Sequence, residues 1–571
     1  MNNRLRHLWN AICQPKFLYF YYLIALILPN LGLSYTEPLS WLARLTNVVL
    51  PLAVYALVLT FCRKPGKMIW ILFPLVFIAA FQLVLLYLFG RSVIAVDMFL
   101  NVVTTNPGEA MELLDNLIPG VAFVFIVYLP ALILGACTWR LPAKLDYVWL
   151  MQMRKRGMPL LIAGMLMLAT LYLIEPNYKV QNQLYPVNAG YNLCLAIDRA
   201  TKQSHYAESS KAFTFEATSV HQDTIAPLRE VYVLFIGETA RAANFSLYGY
   251  ARDTNPLLSQ TEGLVTFSDA LTESNTTHKS VPMLLSALSA RNFNQIYYQK
   301  GLITAFREAG FRTLFLSNQR PNHSFIDYFG MEAESYHFIQ EEQGEDSPIP
   351  LDADLLKRVE EALHAPYQKL LIVLHTYGSH FNYRERYPRA MAHFTPDDET
   401  DAKYKNRASL VNAYDNSLRY TDAILSQLTA LLAAEQVPAA WLYTSDHGED
   451  LFDDDRRCFL HASPLPTYYQ IHVPLLVWLS PTYRAQWPEV YTALQQNAHQ
   501  PVSTSLSLFH TLLHVSGVNS PLVNTQHALS SPLYEPEERL YLDDHNQAVS
   551  LKELGLDPED EAQFAQRGIS Y

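Results

Sequence analysis

Between residues 17 and 174 this chain carries five long apolar segments, roughly 17–33, 41–62, 68–90, 117–138 and 157–174. Each is close to the roughly 20 residues that cross about 30 Å of hydrocarbon. Runs of this length favour membrane spans over buried helices of a soluble core. Pro29-Asn30 interrupts the first segment and leaves its far edge open. A cleavable signal peptide fits poorly, because further spans follow without a small-residue cleavage site.

Lysine and arginine set the expected orientation. Arg4, Arg6 and Lys16 precede the first segment. Arg63, Lys64 and Lys67 follow the second, and Arg140, Lys144, Arg154, Lys155 and Arg156 lie between the fourth and fifth. The intervening stretches 34–40 and 91–116 hold only Arg91. The N-terminus is therefore expected in the cytoplasm, and everything after residue 175 outside it. In stretch 91–116, Asn101, Thr105 and Glu109 are spaced i, i+4, i+8, near one face of a helix, although Pro107-Gly108 would disturb a regular one. A solvated loop and a polar patch beside a membrane-bound active site both fit that spacing.

The rest of the 571 residues reads differently. The runs at 230–239, 312–318, 369–378, 439–449 and 472–480 are short, continuous and apolar. Such runs suit parallel strands covered on both faces. Helical patterns at Leu302–Ala309, Asp352–His364 and Ser409–Leu432 lie between them. This alternation predicts a doubly wound, mainly parallel α/β domain. The expected organisation is five spans over 1–175, a connector of short helices over 176–228, the α/β domain over 229–545 and an acidic tail over 546–571. A net charge of −12 argues against a nucleic-acid partner. The five cysteines, Cys13, Cys62, Cys137, Cys194 and Cys458, show no paired spacing and imply no disulfide framework.

Three runs end in candidate ligands: Glu238, then His375 with His380, then Asp446 with His447. In open α/β sheets, sites form beyond the carboxyl ends of the strands, so residues far apart in sequence meet there. Carboxylate oxygens with imidazole nitrogens suit zinc. A threonine hydroxyl in the fourth position, from Thr276-Thr277, would be activated as a nucleophile for phosphorus. His380 and His461 would hold phosphate oxygens or a second ion. Lys279 is a candidate to offset phosphate charge, or else a solvated lysine.

The stretches FIGETARAANFSLYGYARDTNP (235–256), NTTHKSVP (275–282), HTYGSHFNYRERYP (375–388), NAYDNSL (412–418), TSDHGE (444–449) and LHASP (460–464), following five spans, give the whole chain a resemblance. It resembles the membrane-anchored phosphoethanolamine transferases of Gram-negative bacteria, in the alkaline phosphatase/sulfatase-like superfamily. The resemblance implies Glu238, Thr277, Asp446 and His447 as zinc ligands and Thr277 as the nucleophile that becomes phosphoethanolamine-modified. It implies His380 and His461 as second-shell or second-metal histidines, and Asn101, Thr105 and Glu109 as contacts for the donor head group. It further implies a phosphatidylethanolamine donor, a lipid A or lipopolysaccharide-core acceptor, one or two zinc ions, and a monomer in the inner membrane with a periplasmic catalytic domain. No cysteine stands beside Thr277 or at Gln319-Arg320-Pro321, unlike the disulfide-rich lipid A-modifying members, so an inner-core heptose or another glycan is open as the acceptor. Two rivals share the fold: a phosphoglycerol transferase akin to lipoteichoic acid synthases, and a hydrolase of phosphate or sulfate esters. The formylglycine-type sulfatase context is absent here.

Overall fold

The computed structural model describes residues 9–90, 92–104, 107–221, 229–343, 349–463 and 465–571, with 88, 89, 101–104 and 107–117 described by backbone alone. It divides into two compact units, Met1–Val103 with Glu109–Ala200, and Thr104–Gly108 with Thr201–Tyr571.

The first unit is helical: α1 (Pro15–Thr36), α2 (Trp41–Val58), α3 (Pro65–Ile71), α4 (Phe73–Phe89), α5 (Val96–Thr104), α6 (Pro107–Trp139), α7 (Tyr147–Ile174) and α8 (Val187–Ser204). Among the described residues four helices are long and apolar enough to cross a membrane, Pro15–Thr36, Trp41–Val58, Ile118–Trp139 and Tyr147–Ile174. The expected third span is a pair, α3 and α4, bent by 70°. The bend has a local cause. Pro74 cannot donate to the Trp70 carbonyl, whereas at the start of a new helix its missing N–H costs nothing.

The first span runs through Pro29 to Thr36 instead of breaking there. Asn30 is buried but satisfied, donating to the carbonyls of Asn47 and Tyr185, each at 2.8 Å. A polar side chain in an apolar span is tolerated when bonded in this way. The last span starts at Tyr147, ten residues earlier than expected. Asp146 caps it by accepting from the Trp149 N–H at 3.2 Å. It carries Arg154, Lys155 and Arg156 within the helix rather than in a loop. A Cβ at Gly164 would lie 2.9 Å from the Leu50 backbone, so the glycine permits the close approach of α7 to α2. The expected connector of short helices contains one long helix, α8, between the single turns Val180–Gln183 and Tyr206–Ser209.

The second unit is built on a seven-stranded sheet: β1 (Glu230–Gly237), β2 (Leu264–Phe267), β3 (Arg312–Ser317), β4 (Ser335–Phe338), β5 (Lys369–His375), β6 (Ala439–Ser445) and β7 (Leu475–Leu479). The order is β2-β7-β6-β1-β5-β3-β4. All eight residues of β1 and all seven of β6 are buried, which is why these runs lack polar alternation. β7 was expected to be parallel, but it runs antiparallel to both β6 and β2. Helices α9 (Thr277–Leu284), α10 (Leu302–Glu308), α11 (Leu355–Leu363), α12 (Arg407–Ala434) and α13 (Thr504–Val515) accompany the sheet. In α11 the buried positions Leu355, Leu356, Val359 and Leu363 form one apolar stripe.

The C-terminal stretch is no loose tail. Ala548–Ser550 pairs with Leu540–Leu542, and α14 (Pro558–Arg567) buries Phe564 and Asp560. Acidic composition suggested solvation. However, Asp560 is ion-paired with Arg456 and also caps the Tyr468 N–H at 2.9 Å. No disulfide joins any of the five cysteines.

Candidate active site

Parallel pairing of β1 with β6 places Gly237 opposite Ser445, so Glu238 and Asp446-His447 leave the sheet side by side. Each chain turns sharply at once. Thr239 has φ 62°, in the left-handed region, and its N–H donates to Asp446 Oδ1 at 3.0 Å. Its carbonyl accepts from the buried Tyr414 hydroxyl at 2.8 Å. Such conformations cost of order 1–3 kcal/mol and persist where surrounding contacts impose them. Gly448 is required by close approach: a Cβ there would sit 2.0 Å from the Tyr469 carbonyl oxygen.

Thr277 opens α9, with Thr276 as the preceding cap residue. Its hydroxyl lies 3.2 Å from Glu238 Oε1 and 3.0 Å from His447 Nε2. His447 Nε2 is 3.2 Å from Asp446 Oδ2 and 3.5 Å from Glu238 Oε1. The sequence-expected ligands therefore meet. His447 Nδ1 is 2.9 Å from the Gly448 carbonyl, which can only accept. The proton accordingly sits on Nδ1, and Nε2 turns a lone pair toward the cluster. Asp446 Oδ2 is buried without a hydrogen-bond partner.

Burial and then the neighbouring Asp446 carboxylate push Glu238 well above the ordinary carboxylate range. Burial raises Asp446 to about 7. Burial and then His461 hold His447 well below the usual imidazole range, in its neutral, ligating form. Glu238, Asp446 and His447 thus gather oxygen and nitrogen lone pairs without a counter-charge, a donor set that fits zinc. The positive end of α9 also favours negative charge on the Thr277 oxygen.

A second group adjoins the first. The His461 ring lies 4.1 Å from that of His447, centroid to centroid and tilted by 35°, and its Nδ1 lies 2.8 Å from Glu449 Oε2. Glu449 Oε1 accepts from the Tyr383 hydroxyl at 2.8 Å. His447, Glu449 and His461 could hold another ion. The His380 ring lies 6.1 Å from that of His461, and its Nδ1 donates to the Phe381 carbonyl at 2.7 Å. Burial lowers His380 to about 3, so it is neutral at physiological pH.

Other expected residues fall elsewhere. His375 is still inside β5, opposite Ile236 and Ser317. Its Nδ1 is 3.2 Å from the Ser317 hydroxyl, and it belongs to neither ligand group among the described residues. Lys279 is buried instead of solvated, and its ammonium donates to the Asp543 carbonyl at 2.8 Å. Thr105 lies outside the described residues, and only the backbone of Asn101 and Glu109 is described, in α5 and α6.

Sequence reasoning missed Gln319. It follows β3 and donates to Glu238 Oε2 at 3.1 Å and to the Thr376 carbonyl at 2.9 Å. Partners of this kind orient a ligand carboxylate. The signal was its position just past a central strand end, as with Glu238 and Asp446.

Comparison with known proteins agrees with the fold. A solved integral membrane lipooligosaccharide phosphoethanolamine transferase A (EptA) from Neisseria meningitidis matches 90% of this chain and 98% of its own, with a TM-score of 0.72 and 22% identity. The C-terminal periplasmic domain of EcEptC from Escherichia coli, solved in complex with Zn, matches 60% of this chain and 98% of its own, at TM-score 0.54 and 23% identity. Phosphoethanolamine transferase EptA of Escherichia coli (strain K12) is 31% identical over 308 residues, 51% of this chain and 54% of its own. The chain spans about half the length of the curated relatives it matches. The family model described as Sulfatase matches residues 230–518, just over half of the chain and all seven strands of the sheet, and the chain belongs to that family.

Proposed function

We propose that this chain transfers phosphoethanolamine from phosphatidylethanolamine to a lipopolysaccharide acceptor, on lipid A or the core sugars. The observation that carries this reading is the Thr277 hydroxyl, 3.0 Å from His447 Nε2 and 3.2 Å from Glu238 at a helix N-terminus. Relatives named phosphoethanolamine transferase support the transferred group, among them a Kdo(2)-lipid A phosphoethanolamine 7''-transferase of Salmonella typhimurium, 28% identical over 57% of this chain.

Glu238, Asp446, His447 and the Thr277 oxygen would hold a zinc ion, and the His447-Glu449-His461 group would take a second. Bound zinc supplies Lewis-acid charge that favours the ionised hydroxyl and the phosphoryl oxygens. A Zn-bound structural neighbour supports that choice of metal.

In the first half-reaction Thr277 Oγ1 attacks phosphorus. The Oγ1–P bond forms, the bond from phosphorus to the glycerol oxygen breaks, and diacylglycerol leaves as the alcohol after taking up a proton. In the second, an acceptor oxygen attacks the same phosphorus, the Oγ1–P bond breaks, and Thr277 regains its proton. His380 and His461 are each fixed through Nδ1, which leaves the Nε2 lone pair of the neutral His380 ring to a second ion that would hold the phosphoryl oxygens. Positive charge placed at those oxygens accounts for much of the catalysis in phosphoryl transfer.

The apolar helices confine the reaction to lipid donors, a gain in effective concentration. The arginine and lysine distribution orients them in a bacterial inner membrane with the catalytic unit in the periplasm. We assign Asn101, Thr105 and Glu109 to the donor head group, and a monomer to the working state.

The test is turnover with head-group-labelled lipids. Label from phosphatidylethanolamine should be found on the Thr277 peptide, with diacylglycerol released in equal amount. Label only from phosphatidylglycerol would replace this reading with phosphoglycerol transfer, and free head group without protein label would replace it with hydrolysis.

A further inference from the structure

Three segments that are remote in sequence build the site: the nucleophile loop 272–277, the turn at 446–449, and the loop carrying His461. Two buried amide side chains tie them together. The Asn275 amide donates to the Ser463 carbonyl at 2.8 Å and to Gln470 Oε1 at 2.6 Å. Its own oxygen accepts from the Tyr541 hydroxyl at 2.6 Å, and its backbone carbonyl accepts from the Ala462 N–H at 3.2 Å. The Gln470 amide donates to the Leu460 carbonyl at 3.2 Å and to Asp450 Oδ2 at 2.7 Å. The Gln470 carbonyl accepts from the Gly448 N–H at 2.7 Å.

The loop they grip is held away from relaxed backbone geometry. Leu460 and Ala462, on either side of His461, have φ of 68° and 61°. Non-glycine residues stay in that region only where surrounding contacts over-determine them. Leu460 is buried and pairs with Asp450, but beyond it His461, Ala462 and Ser463 are only half-buried, so apolar packing holds just one side of the loop. The hydrogen bonds of Asn275 and Gln470 hold the other side.

We infer that Asn275 and Gln470 are positioning residues that lock the His461 loop onto the nucleophile loop, fixing the imidazole relative to the Thr277 hydroxyl. The inference rests on the phosphoethanolamine-transfer reading for its kinetic test alone. Neither side chain has a hydrogen bond to Glu238, Asp446 or His447 among those described, so these three ligands are left in place when Asn275 or Gln470 is changed. A misplacement of about 1 Å in such a site costs up to about a hundredfold in rate.

The experiment uses the full-length, detergent-purified, zinc-loaded chain with Asn275→Ala and the isosteric Asn275→Asp. Hydrogen exchange gives a readout independent of activity. Both variants should exchange faster in peptides covering 459–463 and 272–278 and unchanged over 306–317, with at least one equivalent of zinc, that of Glu238, Asp446 and His447, retained. For Thr277 labelling from phosphatidylethanolamine, kcat should fall about 10- to 100-fold with KM within about twofold. In a His461→Ala background the Asn275→Ala loss should shrink to within about twofold, because the ring it aligns is gone. Unchanged exchange over 459–463 would overturn the inference whatever the rates. So would an equal kinetic loss in both backgrounds, which marks a general structural role. Absence of wild-type labelling would count against the transfer reading instead, leaving the exchange result to decide the positioning role.

Discussion

The two ends of β1 carry similar residues in opposite electrical states. At its start, buried Glu230 meets Lys369 at 3.2 Å, His221 at 2.9 Å and the Tyr232 hydroxyl at 2.8 Å. Just past its end, buried Glu238 meets Asp446, His447 and the Thr277 hydroxyl. The first cluster contains its own cation. The second has two carboxylates and, among the described residues, no lysine or arginine paired with either. Burying an unpaired charge is costly, so such groups are paired, protonated or bound to metal. A buried glutamate next to a histidine is therefore not by itself a metal site. The deficit of positive charge, aimed at a hydroxyl, is what separates the two ends.

The largest expected effect breaks the charge-deficient end. Asp446→Ala should bring bound zinc to near zero by elemental analysis and Thr277 labelling below detection, with the fold retained. The opposite end should respond in the opposite sense. Glu230→Ala leaves Lys369 without its partner and should cost about 4 kcal/mol of stability in denaturant titration. Its zinc content at low temperature should be unchanged.

A third buried carboxylate sharpens the contrast. Among the described residues Glu332 forms no ion pair and belongs to no metal group, although Lys300 is near enough to oppose its rise; its hydrogen-bond donors are the Gly301 N–H, the Thr304 hydroxyl and the Tyr206 hydroxyl. Burial pushes it up to about 7, from an ordinary 4.5. The fold therefore keeps the proton that the unfolded chain releases. The stabilisation is complete below pH 4.5 and is lost as pH rises toward 7. That loss should amount to roughly 3 kcal/mol, and Glu332→Gln should flatten it when melting is followed against pH. The smallest effect tunes the metal end. Gln319→Ala removes one donor from Glu238 and should weaken zinc binding about 10- to 100-fold in chelator competition, without abolishing it.

The sequence made the sheet readable where the chain is buried on both faces. β1, β5 and β6 are unbroken apolar runs, and each run's end marked where chemistry begins. The short edge strands β2 and β4 are not readable, because only two residues of β2 and one of β4 are buried and four residues carry little pattern. The direction of β7 was hidden too, since an apolar run fits parallel and antiparallel neighbours equally. Ligand types at strand ends gave Glu238, Asp446 and His447. The same logic offered His375, which fails because the strand has not yet ended there. Gln319, Asn275 and Gln470 were invisible as site residues, because a neutral amide has no signature until its partners are placed. The C-terminal stretch was misjudged from its charge, since composition cannot show that Arg456 is waiting for Asp560.

On this reading the charge-deficient cluster becomes a phosphoryl-transfer site when zinc is bound, with Thr277 as nucleophile. Intact-mass analysis of detergent-purified protein tests it most directly, after incubation with phosphatidylethanolamine, with zinc or with a chelator. The account predicts one phosphoethanolamine adduct in the zinc sample, mapping to Thr277, and none in the chelated one. An equal adduct in both samples, or one mapping to another residue, would contradict it.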